Sequence, residues 1–258
     1  MTDTPPAAAI TTDGFLDRRL TILQPARGAH RAGLDAVLLA AAIPSGVSGT
    51  LVDLGAGVGV AGLAAKTRSP TARLVLVEID PETAELARRN AAENRAAVGG
   101  DVSVAVVDVT RPESLEEAGL VQHCAAVAMM NPPYHPADRV RASPAQRRAV
   151  AHVIDPDDLE RWLKTAAFLV HPQGLVAIIF RADELPRLFG AIGTRFGSLT
   201  VLPVHPRTGE AASRVLVTGR PQGRAPLRIL PGLVLHEADG AWTAEADAVL
   251  RGSPLALS

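Results

Sequence analysis

Between Thr50 and Lys66 the chain reads TLVDLGAGVGVAGLAAK. Five residues suited to a short buried strand run into a turn with glycine at alternate positions, Gly55, Gly57 and Gly59. A helical run of small and apolar residues, Val60 to Lys66, follows directly. This is the strand, glycine turn and helix context of a nucleotide-type loop. The glycines let the backbone approach a ligand, and the helix start favours polar or anionic groups.

The downstream pattern repeats the alternation. Arg73 to Val77 reads as a second strand ending in Glu78-Ile79-Asp80, and Pro81 opens an amphipathic helix to about Ala97. Asp101 to Val107 alternates as a third strand ending in Asp108, with a short helix at 112–119. Cys124 to Met130 is a fourth, fully apolar strand. A helix from Asp155 to about Leu169, a strand from Gly174 to Phe180 and a helix near Asp183–Ile192 come next. Leu199–Val204 and Arg214–Thr218 read as a closing β-pair. Such alternation predicts an α/β fold with a mostly parallel, doubly wound sheet.

At the amino end, residues 1–13 read as a disordered Pro/Ala-rich tail. Gly14 to Leu23 reads as a hairpin or short strands, and Asp35 as the cap of a helix whose apolar face is Val37, Leu38 and Ala41. From Pro226 the tail predicts a strand, a turn at Asp239-Gly240 and a short helix. No linker divides the 258 residues, so the expected organisation is one domain over 14–258. It comprises an amino-terminal cap at 14–49, a cofactor-binding and catalytic core at 50–220 and an extension at 221–258.

The single cysteine, Cys124, excludes an internal disulfide and a multi-cysteine zinc site, and its apolar run predicts a buried thiol. The histidines show no metal-ligand spacing, so no metal is expected. The amino terminus lacks the basic and apolar regions of a signal peptide, and no apolar run is long enough to span a membrane. A cytoplasmic enzyme is the expectation. The net charge of −1 carries no nucleic-acid signature. Nearly all the cations are arginines, which suit bidentate phosphate contacts; Lys66 and Lys164 are the only lysines.

The glycine loop alone leaves three readings open. The acid at the strand end, Asp53, would repel a pyrophosphate and attract a cofactor that carries an ammonium group, as S-adenosylmethionine does. Gly62 nevertheless offers a third glycine for a dinucleotide pattern, and a purely structural turn has the same composition. Glu78, about twenty residues past the glycines, stands where a carboxylate accepts ribose hydroxyls.

The second constraint is Asn131-Pro132-Pro133-Tyr134, which ends the fourth strand. Each proline lacks an N–H and fixes φ, and Asn131, before a proline, is pushed to extended geometry. A stiff loop results at the carboxyl end of a strand, where open α/β sheets bind ligands. It carries an amide and the only tyrosine of the chain. The polar segment beyond it bears Arg139, Arg141, Arg147 and Arg148, candidate phosphate contacts. His135 adjoins the loop. Trp162 and Phe168 recur near helical spacing and read as core.

With these stretches assigned, the chain resembles the class I S-adenosylmethionine-dependent methyltransferases, and the NPPY loop resembles their amino-methylating branch. The flanks, Gly14-Phe15-Leu16-Asp17 through Leu23-Gln24-Pro25, Gly33 to Ala40 and Leu233-Val234-Leu235-His236, resemble the bacterial tRNA1(Val) adenine-N6 methyltransferases. The resemblance implies a Rossmann-like, seven-stranded fold and S-adenosylmethionine as cofactor. It implies that Asp53, Gly55, Gly57 and Gly59 hold the methionine part of the cofactor, Glu78 its ribose and Asp108 its adenine. It implies that Asn131 and the Pro132 carbonyl accept hydrogen bonds from the target amino group while Tyr134 stacks on the base. RNA, specifically tRNA, is the implied partner. Protein glutamine-N5 methylation, rRNA guanine-N2 methylation and a catalytically idle RNA-binding module remain the alternatives.

Overall fold

The computed structural model describes residues 9–26, 32–133 and 156–257. The chain begins with a hairpin of β1 (Ile10–Phe15) and β2 (Leu20–Pro25). Ile10 to Asp13, expected in a disordered tail, thus belong to a strand. The cause is pairing: Ile10 to Asp13 lie opposite Pro25 to Ile22, so tertiary context overrides the polar local composition.

Helix α1 (Leu34–Ala41) follows. Its N-cap is Gly33, and Asp35 sits in the first turn, where its carboxylate lies 3.0 Å from Nε of Arg214. Asp35 therefore does not cap the helix as expected; it ties α1 to a distant strand. Next come β3 (Thr50–Leu54), α2 (Val60–Lys66), β4 (Arg73–Glu78), α3 (Pro81–Glu93), α4 (Arg95–Val98), β5 (Val102–Val106), α5 (Pro112–Glu117) and β6 (Ala125–Met130). The carboxyl half holds α6 (Pro156–Leu169), β7 (Val170–Arg181), α7 (Leu185–Ile192), β8 (Phe196–Arg207), β9 (Arg214–Pro221), β10 (Arg228–Ile229), β11 (Leu233–His236) and α8 (Ala244–Leu250).

The main sheet runs β10-β8-β9-β7-β6-β3-β4-β5, with β11 also on β8. Among the described residues it has nine strands rather than the expected seven. Seven of them, from β8 to β5, form the anticipated sheet. The two extra strands come from the carboxyl-terminal extension and pair parallel to β8, covering backbone groups that an edge strand would leave unpaired. Strands β3 to β7 are mutually parallel, and β9 is antiparallel to both β7 and β8.

Alternate strand residues feed two apolar layers. Leu51, Leu74, Leu76, Met129 and Ile179 pack with α1, α2 and α8 on one face. Val52, Leu54, Val77, Met130 and Ile178 pack with α6 and α7 on the other. Covering both faces explains why these strands read as continuous apolar runs.

The long helix expected from Pro81 to about Ala97 is broken at Asn94 (φ −97°, ψ 13°). The break serves packing. Asn94 exchanges hydrogen bonds with the backbone of Thr21, at 2.8 Å from the Thr21 N–H and 2.7 Å to its carbonyl. One turn earlier, Asn90 does the same with Leu23, at 2.8 and 2.9 Å. Two amides four residues apart thus imitate a strand partner for β2.

Candidate active site

The register of the parallel strands decides which residues meet. Leu54 is paired with Val77 on one side and Met130 on the other, and Glu78 with Val106. The glycine turn, Glu78, Asp108 and Asn131 therefore leave the sheet at one edge, from strands about 4.8 Å apart. This is the carboxyl edge anticipated for the site.

The turn is held from below. The Ala56 N–H donates to the Val77 carbonyl at 2.8 Å, and the Gly59 N–H to the Ala56 carbonyl at 2.9 Å. Glu78 pins the middle: one carboxylate oxygen accepts the Gly57 N–H at 2.8 Å, the other the Asp80 N–H at 3.0 Å. Gly55, Gly57 and Gly59 all have positive φ, at 68°, 56° and 92°, the region in which side chains are strained.

The glycines differ in what they face. A Cβ on Gly55 would stand 2.3 Å from Cη2 of Trp162, and on Gly59 2.9 Å from a Leu76 methyl. On Gly57 it would meet nothing within 4 Å. Gly62, read as a possible third glycine of a dinucleotide loop, packs on Leu76 and the Asp53 carboxylate. Of these four, Gly57 is the position whose added side chain would enter open space.

Asp53 lies beneath the loop, 2 % exposed. Its carboxylate accepts the Gly62 N–H at 2.8 Å, the third amide of α2, whose N-cap Gly59 has no side chain to do so. Asp53 thus caps α2 from the neighbouring strand, and its acid beneath the helix start disfavours an anionic group there. Burial, first, and the charge of Glu78 push its carboxyl up to about 7, against the lowering effect of the Gly62 bond. The donor set fits S-adenosylmethionine: the open face of Gly57 admits a chain, Glu78 retains acceptor capacity for hydroxyls, and the acids favour a cation over an anion.

Asp108 reaches the same edge but is engaged by its own turn. One oxygen accepts from the N–H and hydroxyl of Thr110, at 2.8 and 2.7 Å, and the other lies 3.6 Å from Nε of Arg111. The adjoining loop is fastened by the Thr165 hydroxyl of α6, which donates to the Val109 carbonyl at 2.7 Å. Asn131 is half-buried, Pro132 buried and Pro133 exposed. Tyr134, His135, Arg139, Arg141, Arg147 and Arg148 lie outside the described residues. Cys124 is half-buried just before β6, and desolvation raises its thiol pKa.

Two residues at the site were not anticipated. Trp162, expected as core, packs partly in the core but rests its ring on Gly55. Asn90 is fully buried and, besides Leu23, donates to the carbonyl of Val58 within the glycine loop at 2.9 Å. The signal for Asn90 was present: it continues the buried face of α3 formed by Thr83, Ala84 and Ala87, and a polar residue in an apolar stripe demands a partner. Nothing in the sequence pairs Trp162 with Gly55.

Comparison with known proteins agrees with this geometry. The family model "Methyltransferase small domain" matches residues 31–152. A tRNA1(Val) (adenine(37)-N6)-methyltransferase of Porphyromonas gingivalis is 30 % identical over 246 residues, covering 91 % of this chain and 92 % of the relative. A release factor glutamine methyltransferase of Mycolicibacterium smegmatis is 38 % identical over 86 residues, 33 % of this chain and 27 % of that protein. Among solved structures, a predicted O-methyltransferase of Agrobacterium tumefaciens superposes with a TM-score of 0.72 and 32 % identity. That match spans 86 % of this chain and 98 % of the other. With a relative of this identity along nine-tenths of both chains, the chain belongs to the methyltransferase family of the tRNA1(Val) (adenine(37)-N6)-methyltransferases.

Proposed function

We propose that the chain transfers the methyl group of S-adenosylmethionine to an exocyclic amino nitrogen, adenine N6 of a tRNA. The observation that carries this reading is the position of Asn131-Pro132 on the strand next to the glycine loop, with Leu54 and Met130 paired at the two strand ends. When bound, S-adenosylmethionine supplies a methyl group on a positively charged sulfur. The chain's own residues position it. Gly57 leaves room for the methionine part, Asp53 supplies negative charge beneath, Glu78 accepts the ribose hydroxyls and Asp108 the adenine amine.

The amine of adenine is a poor nucleophile because its lone pair is delocalised into the ring. The Asn131 side-chain oxygen and the Pro132 carbonyl accept hydrogen bonds from its two N–H groups, favour a pyramidal nitrogen and aim the lone pair at the methyl carbon. In an in-line displacement the N–C bond would form as the S–C bond breaks, the sulfur leaving as a neutral thioether. The methylated nitrogen then loses its surplus proton to solvent, so positioning and electrostatics matter more than a strong base. Tyr134 stacks on the extruded base, returning roughly 1–3 kcal/mol of its unstacking cost. Arg139, Arg141, Arg147 and Arg148 are assigned to phosphate contacts. The tRNA class rests on the name of the full-length relative, and a tRNA substrate is met in the cytoplasm. No described helix is long and apolar enough to cross a membrane.

The test is transfer of labelled methyl to a tRNA1(Val) transcript and, in parallel, to a release factor, followed by nucleoside and amino-acid analysis. Label in N6-methyladenosine is expected. Label in protein alone would replace this reading with glutamine methylation, which the local match over 86 residues also permits. Asn131→Ala should lower turnover by roughly 10²-fold or more, with cofactor affinity within a few-fold of wild type. An unchanged rate would remove Asn131 from the mechanism.

A further inference from the structure

Trp162 projects from α6, which packs on β6 and β7. Its ring nonetheless reaches Gly55 at the end of β3, and β6 lies between β3 and β7. Leu54, before Gly55, pairs with Met130, before Asn131, so Gly55 and Asn131 leave neighbouring strands at one level, and the ring that abuts Gly55 stands at that level. The atoms nearest a Gly55 Cβ are Cη2, Cζ3 and Cζ2, at 2.3, 3.0 and 3.4 Å. The outer edge of the six-membered ring therefore sits against the backbone of the turn. A side chain at Gly55 is excluded both by its positive φ and by this ring, which occupies the place of a Cβ. The helix bearing the ring is anchored below by Leu159, Leu163 and Ala166 in the core and fastened to the Asp108 loop by Thr165.

We propose that Trp162 is a positioning residue for methyl transfer: it is the wall shared by the cofactor loop and the Asn131 loop, and it sets their separation. The inference rests on the methyltransferase reading of this edge. A rigid aromatic with two side-chain torsions holds such a spacing at little entropic cost. It also excludes water from the side of α6, where solvent would weaken the electrostatic contacts that orient the amine. Small misplacements at this point are costly, since near-attack geometry requires the reacting atoms within about 3–3.5 Å.

The chain has two tryptophans, Trp162 and Trp242, so Trp242→Phe leaves Trp162 as the only indole. In that variant, titration with S-adenosylmethionine should change the tryptophan emission saturably, with the same Kd that calorimetry gives. Calorimetric binding with unchanged emission would overturn the proposal while leaving the cofactor site intact. No calorimetric binding at all would overturn both. In the full-length enzyme, Trp162→Ala should lower kcat roughly tenfold or more while KM for the cofactor moves by a few-fold, and Trp162→Phe should recover most of the loss. Equal loss in the two variants, or a loss confined to KM, would leave Trp162 with a packing role only.

Discussion

Asp53 shows how one side chain joins fold and chemistry. A carboxylate buried under a glycine turn is costly, and a protein keeps one there only with a partner. Here the partner is the Gly62 N–H, an amide of a helix start that the glycine N-cap leaves open. The sign of the resulting pH dependence follows. The folded pKa, about 7, lies above the ordinary value of 3.8. Between those values the unfolded chain releases this proton and the folded chain keeps it. The contribution is therefore fully present below about pH 4 and is lost as pH rises to about 7. Urea unfolding of wild type and Asp53→Asn from pH 4 to 8 checks this: the stability difference between them should shift against the wild type across that window and be flat above it. A difference independent of pH would show that Asp53 is ionised throughout. Because a bound cation favours the ionised form, cofactor affinity should rise over the same window in the wild type and not in Asp53→Asn.

Among the elements, α3 and the β1-β2 hairpin act together on the loop. Asn90 bonds β2 through Leu23 and the glycine loop through Val58, while Asn94 extends the docking to Thr21. Asn90→Ala would leave the N–H and carbonyl of Leu23 and the carbonyl of Val58 without this partner. Each buried orphan costs about 1–3 kcal/mol, with partial relaxation. A loss of about 3 kcal/mol is expected, or a Tm lower by roughly 6–12 °C for a chain of this size. Calorimetry reads it, and cofactor affinity should fall as well because Val58 is part of the loop. Loss of stability with unchanged affinity would confine Asn90 to docking the hairpin.

Over the whole molecule, the two ends of the chain close on each other. Arg68, between α2 and β4, donates to the carbonyls of Ala40, Ile43 and Gly252. Burial, and secondarily the charge of Arg19, lowers its guanidinium pKa to about 10. Leu255 donates its N–H to the Ala41 carbonyl at 2.7 Å, and Leu255 and Leu257 join the core beside α1. The extension is therefore part of the fold and not an appendage. Deleting residues 253–258 removes two buried leucines, each worth about 1.5–3 kcal/mol. The truncated chain should unfold at clearly lower urea concentration; a midpoint within error of the wild type would show that this tail contributes nothing.

The sequence by itself determined the order of the described strands and helices from Thr50 to Phe180 and the glycine turn at their carboxyl edge. These are local matters: apolar runs, proline and glycine restrict the backbone within a few residues, and an acid in place of a phosphate-accepting turn speaks for a cation. Tertiary structure alone decided the pairing of Ile10–Asp13, the two strands added to β8, the break at Asn94 and the seat of Trp162 on Gly55. Each depends on a partner outside its own local run, and the free energy that selects it, a strand paired, an edge covered, an amide satisfied or a ring fitted to a missing Cβ, exists only once both partners are in place.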